Sequence, residues 1–301
     1  MIYIDTIYFP RAYQPGESYN YESLSYPNIV FVNKNFREMI CKEITILYGN
    51  NGSGKSTILN LIGEKIGVQR NKPLYKNKEY VQTQYGMEEI PYFDDFLEEM
   101  SIKKATDELE RKIELPSIRK LISSEDVFKL ANDNIKHNNN SIIEIEEARE
   151  KKKQLKREGY YFNSLDDYDR LVQWNEARKT SEYQYAKKHS SEKKKINSNG
   201  ETALEYFNKI FESDGLYLID EPENCLSPIF QIELMKIINE CAKYCNCQFI
   251  IATHSPLILS LPNAVIYDLD ASPVMTSNWY NLPNVKLYFD FFYMNKDKFG
   301  K

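Results

Sequence analysis

The sequence predicts an α/β fold, with a mostly parallel central sheet and a helical insertion, and three observations carry that reading. Short apolar runs recur at EITILY (Glu43 to Tyr48), GLYLID (Gly215 to Asp220) and CQFIIAT (Cys247 to Thr253), as strands buried on both faces require. Stretches with apolar residues at helical spacing lie between such runs. A long polar and charged stretch separates the first group of elements from the second. Strands that alternate with helices imply a parallel sheet covered on both sides.

The elements divide into three regions, 1–95, 96–195 and 196–301. In the first, NIVFV (Asn28 to Val32) and EITILY read as strands. A helix follows Lys55, with Ile58, Leu59, Ile62 and Ile66 on one face. The region 96–195 is short of strand signals and reads as the insertion. Its HNNN at 137–140 is a loop, and Ile142 to Glu158 is a helix with acids first and bases last, as the helix dipole favours. Glu147 and Lys151 have the spacing of a supporting pair. A second helix is expected from Asp166 to Lys195, with Gly159 breaking between the two. The third region opens on a helix carrying Leu204, Phe207 and Phe211. GLYLID, a helix presenting Ile232, Met235 and Ile238, CQFIIAT and AVIYDL (Ala264 to Leu269) follow in turn.

Composition narrows the function classes. With 301 residues the chain can form one large domain carrying an insertion, and 42% hydrophobic residues are enough for a core. A net charge of −5 argues against a basic coat for nucleic acid, although a local basic face remains open. The opening MIYIDTIYFP carries Asp5 and does not read as a signal peptide, and no run approaches the about 18 apolar residues that span a bilayer. Five cysteines, an odd number, do not suggest a disulfide framework. A cytoplasmic location with no membrane partner is expected. Cys241, Cys245 and Cys247 lack a C-x-x-C pair, and read better as small buried thiols than as metal ligands.

Gly49-Asn50-Asn51-Gly52-Ser53-Gly54-Lys55-Ser56, followed by Thr57, fits G-x-x-x-x-G-K-[ST] with a strand before it and a helix after. Glycines let backbone N–H groups curl around phosphate oxygens. Lys55 brings a point charge to the outer phosphates of ATP, Ser56 a hydroxyl ligand for Mg²⁺, and the helix its positive end. LYLIDEPENCLSP (Leu216 to Pro228) delivers Asp220 to the carboxyl edge of the sheet, where ligands of open α/β folds sit. There Asp220 can hold Mg²⁺, and Glu221 can orient or deprotonate a water. IIATHSP (Ile250 to Pro256) brings His254 to the same edge, within reach of a γ-phosphate or that water.

These residues resemble the ABC and SMC type of P-loop ATPase, in which Walker A, Walker B with a glutamate, and a switch histidine occur in this order. That class carries a signature motif before Walker B, and INSNGETALEYF stands in its place with Ser198, Gly200 and Glu201. Asn199 departs from the glycine usual in transporters and is closer to the Ser-x-Gly-Glu of repair-type and single-chain ATPases. The joined motifs SNGE, DEPE-x-x-LSP and ATHSP, with a Phe-rich tail, are similar to a family of stand-alone bacterial AAA/ABC-like ATPases. ISSEDVF (Ile122 to Phe128) resembles their Q-loop region. The resemblance implies an ABC/SMC-type P-loop fold and an ATP-dependent homodimer. In it Ser198 and Gly200 close the site of a second copy, and Asn224 to Ser227 form the D-loop.

Three readings of the ATP's purpose stay open. One is an ATPase acting with nucleic acid, in DNA repair or defence against phage and mobile elements. Its local support is the basic segment Arg178, Lys179, Lys187, Lys188, Lys193, Lys194 and Lys195 with Tyr183 and Tyr185 interleaved, which reads equally as a solvated helix face. Another is a slow nucleotide-gated switch for a separately encoded effector. The third, a transporter's nucleotide-binding subunit, is disfavoured by Asn199 and the charged insertion.

Overall fold

The computed structural model describes residues 1–11, 25–32, 34–71, 79–83, 86–90, 92–129, 147, 150–154, 157, 172, 174–175, 177, 179 and 199–299. The chain divides into two compact units, Met1–Val127 with Ala203–Lys301, and Phe128–Thr202. In chain order the strands are β1 (Ile4–Tyr8), β2 (Glu38–Ile40), β3 (Ile44–Tyr48), β4 (Glu79–Thr83), β5 (Gly86–Ile90), β6 (Ser101–Lys104), β7 (Ile118–Ser123), β8 (Gly215–Asp220), β9 (Gln248–Thr253), β10 (Val265–Asp268) and β11 (Met275–Thr276). The helices are α1 (Lys55–Ile66), α2 (Tyr92–Glu99), α3 (Asn199–Ile210), α4 (Pro228–Tyr244), α5 (Pro256–Leu259) and α6 (Pro283–Met294).

The fold of the first unit is α/β around a mostly parallel sheet of order β11-β10-β3-β9-β8-β7, with the short β11 antiparallel at one edge. Its central strands are buried along nearly their whole length because both faces are covered. On one face Leu47, Leu218 and Ile250 pack with α1, α2 and β1, through Ile58, Leu59, Ile62, Phe93, Phe96, Ile4 and Ile7. On the other, Ile46, Tyr217, Ile219, Phe249 and Ile251 meet Ala203 and Phe207 of α3, Leu234 and Ile238 of α4, and Ile258 and Leu259 of α5. Adjacent residues of one strand thus serve opposite layers, as the two-residue period of a strand demands. A second, antiparallel sheet has the order β2-β1-β6, and β4 and β5 form an antiparallel pair.

Registry at one end of the sheet matters most for function. Tyr48 pairs with Thr253, and Asp220 with Ala252. The carboxyl ends of β3, β9 and β8 are therefore level, and the segments that leave them emerge along a single edge.

Gln248 ties the opposite end of the sheet to the chain's first strand. It is fully buried, its Oε1 accepts from the Tyr3 and Ile4 N–H groups at 2.9 Å each, and its Nε2 donates to the Ile4 and Lys42 carbonyls at 2.9 and 3.1 Å. One side chain thereby satisfies backbone groups that have no water to turn to.

The structure differs from three sequence expectations. NIVFV is no strand: Asn28–Val30 is a 3₁₀ turn, and Phe31 anchors it by packing against Phe9 and Phe96. A five-residue apolar run serves equally well as an anchored turn, and periodicity cannot separate the two. The region 96–195 is not free of strands, since β6 and β7 lie within it. Both are edge strands with half-exposed side chains, so neither SIKK nor IRKLIS shows a continuous apolar run. Finally, α4 buries Gln231, Leu234, Ile238 and Ala242. Ile232 is 43% exposed, so the inward stripe is rotated from the one expected.

In the second unit, the described residues 147, 150–154, 157, 172, 174–175, 177 and 179 are helical. The loop at 137–140 and the basic residues from Lys187 to Lys195 lie outside the described residues. Among the described residues no helix is long and apolar enough to cross a membrane.

Replacing Gln248 by leucine should destabilise the protein by about 2–4 kcal/mol, because it orphans buried N–H and C=O groups while keeping the volume. Chemical denaturation monitored by circular dichroism measures it.

Candidate nucleotide site

The loop between β3 and α1 holds Gly49, Asn50, Asn51, Gly52, Ser53 and Gly54, and Lys55 is the first residue of the helix. Two glycines are demanded by space. A Cβ on Gly54 would lie 2.1 Å from Val30 Cγ1, and its φ of 99° lies in the left-handed region. A Cβ on Gly49 would lie 2.4 Å from Ser53 Oγ, inside the curl of the loop. Gly54 is also the helix N-cap and has no side chain with which to occupy the N–H groups of the first turn. The loop keeps those donors free for an anion.

Lys55 is 4% exposed. Its Nζ donates to the Gly49 carbonyl at 2.8 Å and the Asn50 carbonyl at 3.2 Å, and lies 3.3 Å from Glu221 Oε1. The Ser56 hydroxyl donates to the carboxylate of Asp220, the last residue of β8. Thr57 bonds the Tyr26 side chain, whose ring stacks on Phe93 at 5.9 Å.

Asp220 sits where an acid is least comfortable. Burial pushes its carboxyl up to about 6; Glu221 and Glu223 add to the rise, while the Ser56 hydroxyl and Lys55 oppose it. Its Oδ1 is buried with no hydrogen-bond partner. A buried carboxylate oxygen left bare beside a serine hydroxyl is a pair of hard oxygen donors, which suits Mg²⁺. The free first-turn donors, the loop's curl and Lys55 suit the phosphates, so the residues present fit ATP with Mg²⁺.

Glu221 follows β8 in the left-handed conformation, φ 46° and ψ 56°. For a non-glycine residue this costs roughly 1–3 kcal/mol, and such outliers gather at functional sites. Its N–H donates to the Ala252 carbonyl at 2.9 Å, and its Oε2 accepts from Asn224 Nδ2 at 3.0 Å. The kink turns the carboxylate toward Lys55 instead of along the strand.

His254 follows β9, with its Nδ1 3.2 Å from Glu223 Oε1 and 3.9 Å from Glu221 Oε1. Glu223 is 6% exposed, and its Oε1 also accepts from Thr253 Oγ1 at 2.7 Å and from the His254 N–H at 2.8 Å. The chain of bonds continues: Thr253 Oγ1 accepts from the Ser255 N–H at 3.0 Å, and Ser255 Oγ donates to Gln231 Oε1 at 2.6 Å. Gln231 Nε2 donates to the Leu226 carbonyl at 2.9 Å, closing the network on the turn after β8. Glu223 Oε2 is buried without a partner.

The structure thus brings together Gly49 to Thr57, Asp220, Glu221 and His254. Gly200 and Glu201 lie in the first turn of α3, and Ser198 lies outside the described residues. Cys247 is buried and its Sγ donates to the Glu212 carbonyl at 3.3 Å, away from this edge.

Sequence reading missed two supports of the loop. Lys34 Nζ donates to the Ser53 carbonyl, and burial lowers the pKa of Lys34, with Asp270 opposing and Lys55 adding. Asp270 Oδ2 accepts from the Asn50 N–H at 2.9 Å. Asp270 repeats the pattern of AVIYDL, an apolar strand that delivers an acid to the same edge, and that pattern could have found it. No motif pointed to Lys34.

Residues 209–260 match a family described as "AAA domain, putative AbiEii toxin, Type IV TA system". No curated protein matches the chain. Among solved structures the chain is similar to the Smc head domain of Pyrococcus furiosus bound to the C-terminal domain of ScpA, at 12% identity and TM-score 0.43, over 97% of this chain and 100% of that one. It is similar to the SMC head domain of Thermotoga maritima at 12% identity and TM-score 0.41, over 92% and 99%. A metal-chelate type ABC transporter in an inward-facing conformation is similar at 13% identity and TM-score 0.39, over 96% and 90%.

Asp220→Asn should make the folded protein more stable at pH 8, by on the order of 2 kcal/mol, because it removes the cost of a buried carboxylate. The raised carboxyl pKa sets the sign. Below about 4 both folded and unfolded chains hold the proton and the cost is absent; it grows as pH rises toward 6 and is complete above. Thermal melts of both proteins across pH 4–8 should show the advantage of the variant shrinking toward acid. An equal gap at every pH would contradict the assigned environment.

Proposed function

We propose, from the premise of a P-loop ATPase of the ABC/SMC-like class, that this chain is a Mg²⁺-dependent ATP hydrolase. The observation that carries the reading is the meeting of Lys55, Ser56, Asp220 and Glu221 at one sheet edge, beside a buried carboxylate oxygen with no protein partner. Lys55 leaves the Gly49 and Asn50 carbonyls and Glu221 for the outer phosphates of ATP, while the loop's N–H groups hold the rest. Mg²⁺ held by Ser56 and Asp220 would neutralise phosphate charge. Released from Lys55, Glu221 orients the attacking water and accepts its proton, and His254 hydrogen-bonds the γ-phosphate. Glu223 holds the His254 backbone in place through its N–H.

Turnover in this reading requires a second copy. Ser198, with Gly200 and Glu201 of the first turn of α3, closes the site of a partner subunit; the sequence motif and the N-terminus of that helix support that role. Hydrolysis then releases a dimer that ATP holds together. Cytoplasmic work as a motor or gate for a client follows from the same reading.

Lys55→Ala should abolish ATP binding or weaken it severely, measured by calorimetry. Glu221→Gln should bind ATP normally and turn over about 10²–10⁴ times more slowly, as expected for a lost general base. Wild-type turnover in Glu221→Gln would move the role of base to another carboxylate, Glu223 first.

Ser198→Arg should bind ATP yet neither dimerise with it nor hydrolyse it. Mixed with Lys55→Ala it should recover part of the activity, since one composite site then has both an intact Lys55 and an intact Ser198. Wild-type hydrolysis by Ser198→Arg alone would end the composite-site reading.

A further inference from the structure

Cys241, Cys245 and Cys247 meet where α4 ends and β9 begins, at the end of β9 opposite His254. The turn between the two elements brings them together. The Cys241 carbonyl accepts the Cys245 N–H at 3.0 Å and the Cys247 N–H at 3.2 Å, so the chain doubles back over the last turn of the helix. Asn246 makes the reversal with a φ of 54°, a left-handed conformation that asparagine adopts more readily than most residues. Its Nδ2 donates to Asp214 Oδ1 at 3.0 Å, and the Asp214 N–H donates to the Cys245 carbonyl at 2.8 Å. The turn is thereby fastened to the one that precedes β8.

This geometry sorts the three thiols. Cys245 ends the helical path one turn after Cys241, so the two side chains lean the same way along the helix. Cys247 comes after the reversal and faces Cys241 instead. A direct carbonyl-to-amide bond sets two Cα atoms about 5–6.5 Å apart, inside the span of a disulfide. The Cys241 and Cys247 thiols also hydrogen-bond to each other. All three cysteines are free; Cys247 is buried, whereas Cys241 is half-buried and open to solvent on one side. Among the described residues no group of three His, Cys, Asp or Glu is arranged to hold a metal ion. The Cys241 thiol and the Gly215 N–H, both donating to the Cys247 sulfur, lower its pKa to about 7 against the cost of burial. A thiolate, the reactive form of cysteine, thus stands beside a thiol that solvent reaches.

We propose that Cys241 and Cys247 are a reversible dithiol–disulfide couple, a modification site that small disulfides such as oxidised glutathione enter at Cys241. Its chemistry takes two steps. The Cys241 sulfur attacks one sulfur of the small disulfide RSSR while its proton passes to the Cys247 thiolate. A bond from Cys241 to SR forms, the RS–SR bond breaks, and RS⁻ leaves. Cys247 then attacks the Cys241 sulfur, the intrachain S–S bond forms, and the second RS departs with the Cys247 proton as RSH. The protein gives up two electrons, and RSSR gains them as RS⁻ and RSH. The second step is intramolecular between sulfurs already in contact, and an excess of reduced thiol reverses both. The couple requires nothing of the proposed ATP site and is tested without nucleotide.

The test is oxidation of the folded, fully reduced protein in glutathione buffer, followed by capping of free thiols with N-ethylmaleimide, tryptic digestion and mass spectrometry. Trypsin cuts after Lys243, between Cys241 and Cys247, so only a disulfide holds the two peptides together. The wild type should lose two of its five free thiols, yield the cross-linked pair, and recover all five with dithiothreitol. Cys245→Ser should form the cross-link as the wild type does. Cys247→Ser should form none and retain glutathione on Cys241, because the thiol that displaces it is gone. Thermal melts by circular dichroism establish that each variant is folded, and the wild-type and Cys245→Ser arms do not depend on replacing a buried residue. Retention of five thiols by the folded wild type overturns the proposal. So does a cross-link that disappears in Cys245→Ser, one that forms only in guanidinium-denatured protein, or a folded Cys247→Ser with no glutathione on Cys241.

Discussion

In-register parallel pairing of β3, β9 and β8 is the constraint on which the candidate site depends. Tyr48, Thr253 and Asp220 end their strands at one level, so the glycine loop, His254 and Glu221 are delivered to one edge without a long loop to carry any of them. A slip of one residue in either pairing would reverse which side chains face each layer and move the acids away from Lys55. The two apolar layers make that slip prohibitive, since Leu47 and Ile46, or Leu218 and Ile219, would exchange covered positions of different shape. Hydrophobic packing many ångströms from the chemistry thus sets its geometry.

The edge so made is electrostatically uncomfortable, and in informative places. Three carboxylates, Asp220, Glu221 and Glu223, stand within reach of Lys55 and His254. Lys55 and the backbone N–H of His254 satisfy part of this charge, yet one oxygen of Asp220 and one of Glu223 are left bare. Natural interiors rarely tolerate such atoms without a reason. Glu221 adds a backbone conformation that glycine would hold more cheaply. Stability has been given up at this edge in several independent ways, as at sites shaped for binding and chemistry.

The remainder of the chain supports the loop from outside. The 3₁₀ turn at 28–30 brings Val30 against Gly54, Lys34 reaches the Ser53 carbonyl, and Asp270 holds the Asn50 N–H from the far side. Opposing charges gripping the loop's backbone at separate points limit its movement without entering the space it encloses. Gln231 performs a similar task between the two turns that follow β8 and β9. Its position on the buried face of α4 explains why that face carries an amide where a simple apolar stripe was expected.

Much of this could be read in the sequence because it depends on local pattern. A continuous apolar strand ending in GNNGSGKS, another ending in DE and a third ending in THS specify strand type, loop shape and donor chemistry within a dozen residues each. Non-local pairing was not legible. The edge strands β6 and β7 have mixed sequences because neighbours cover only one side of them, and NIVFV is an anchored turn because Phe31 finds Phe9 and Phe96 elsewhere in the chain. Lys34 and Asp270 reach the loop from 16 residues upstream of its Asn50 and 220 residues downstream. Residue chemistry along the chain determined which groups this protein could bring to a phosphate. Tertiary structure alone decided which carboxylate oxygens stay bare and which lysine grips which carbonyl, since burial and charge proximity are properties of contacts between distant segments.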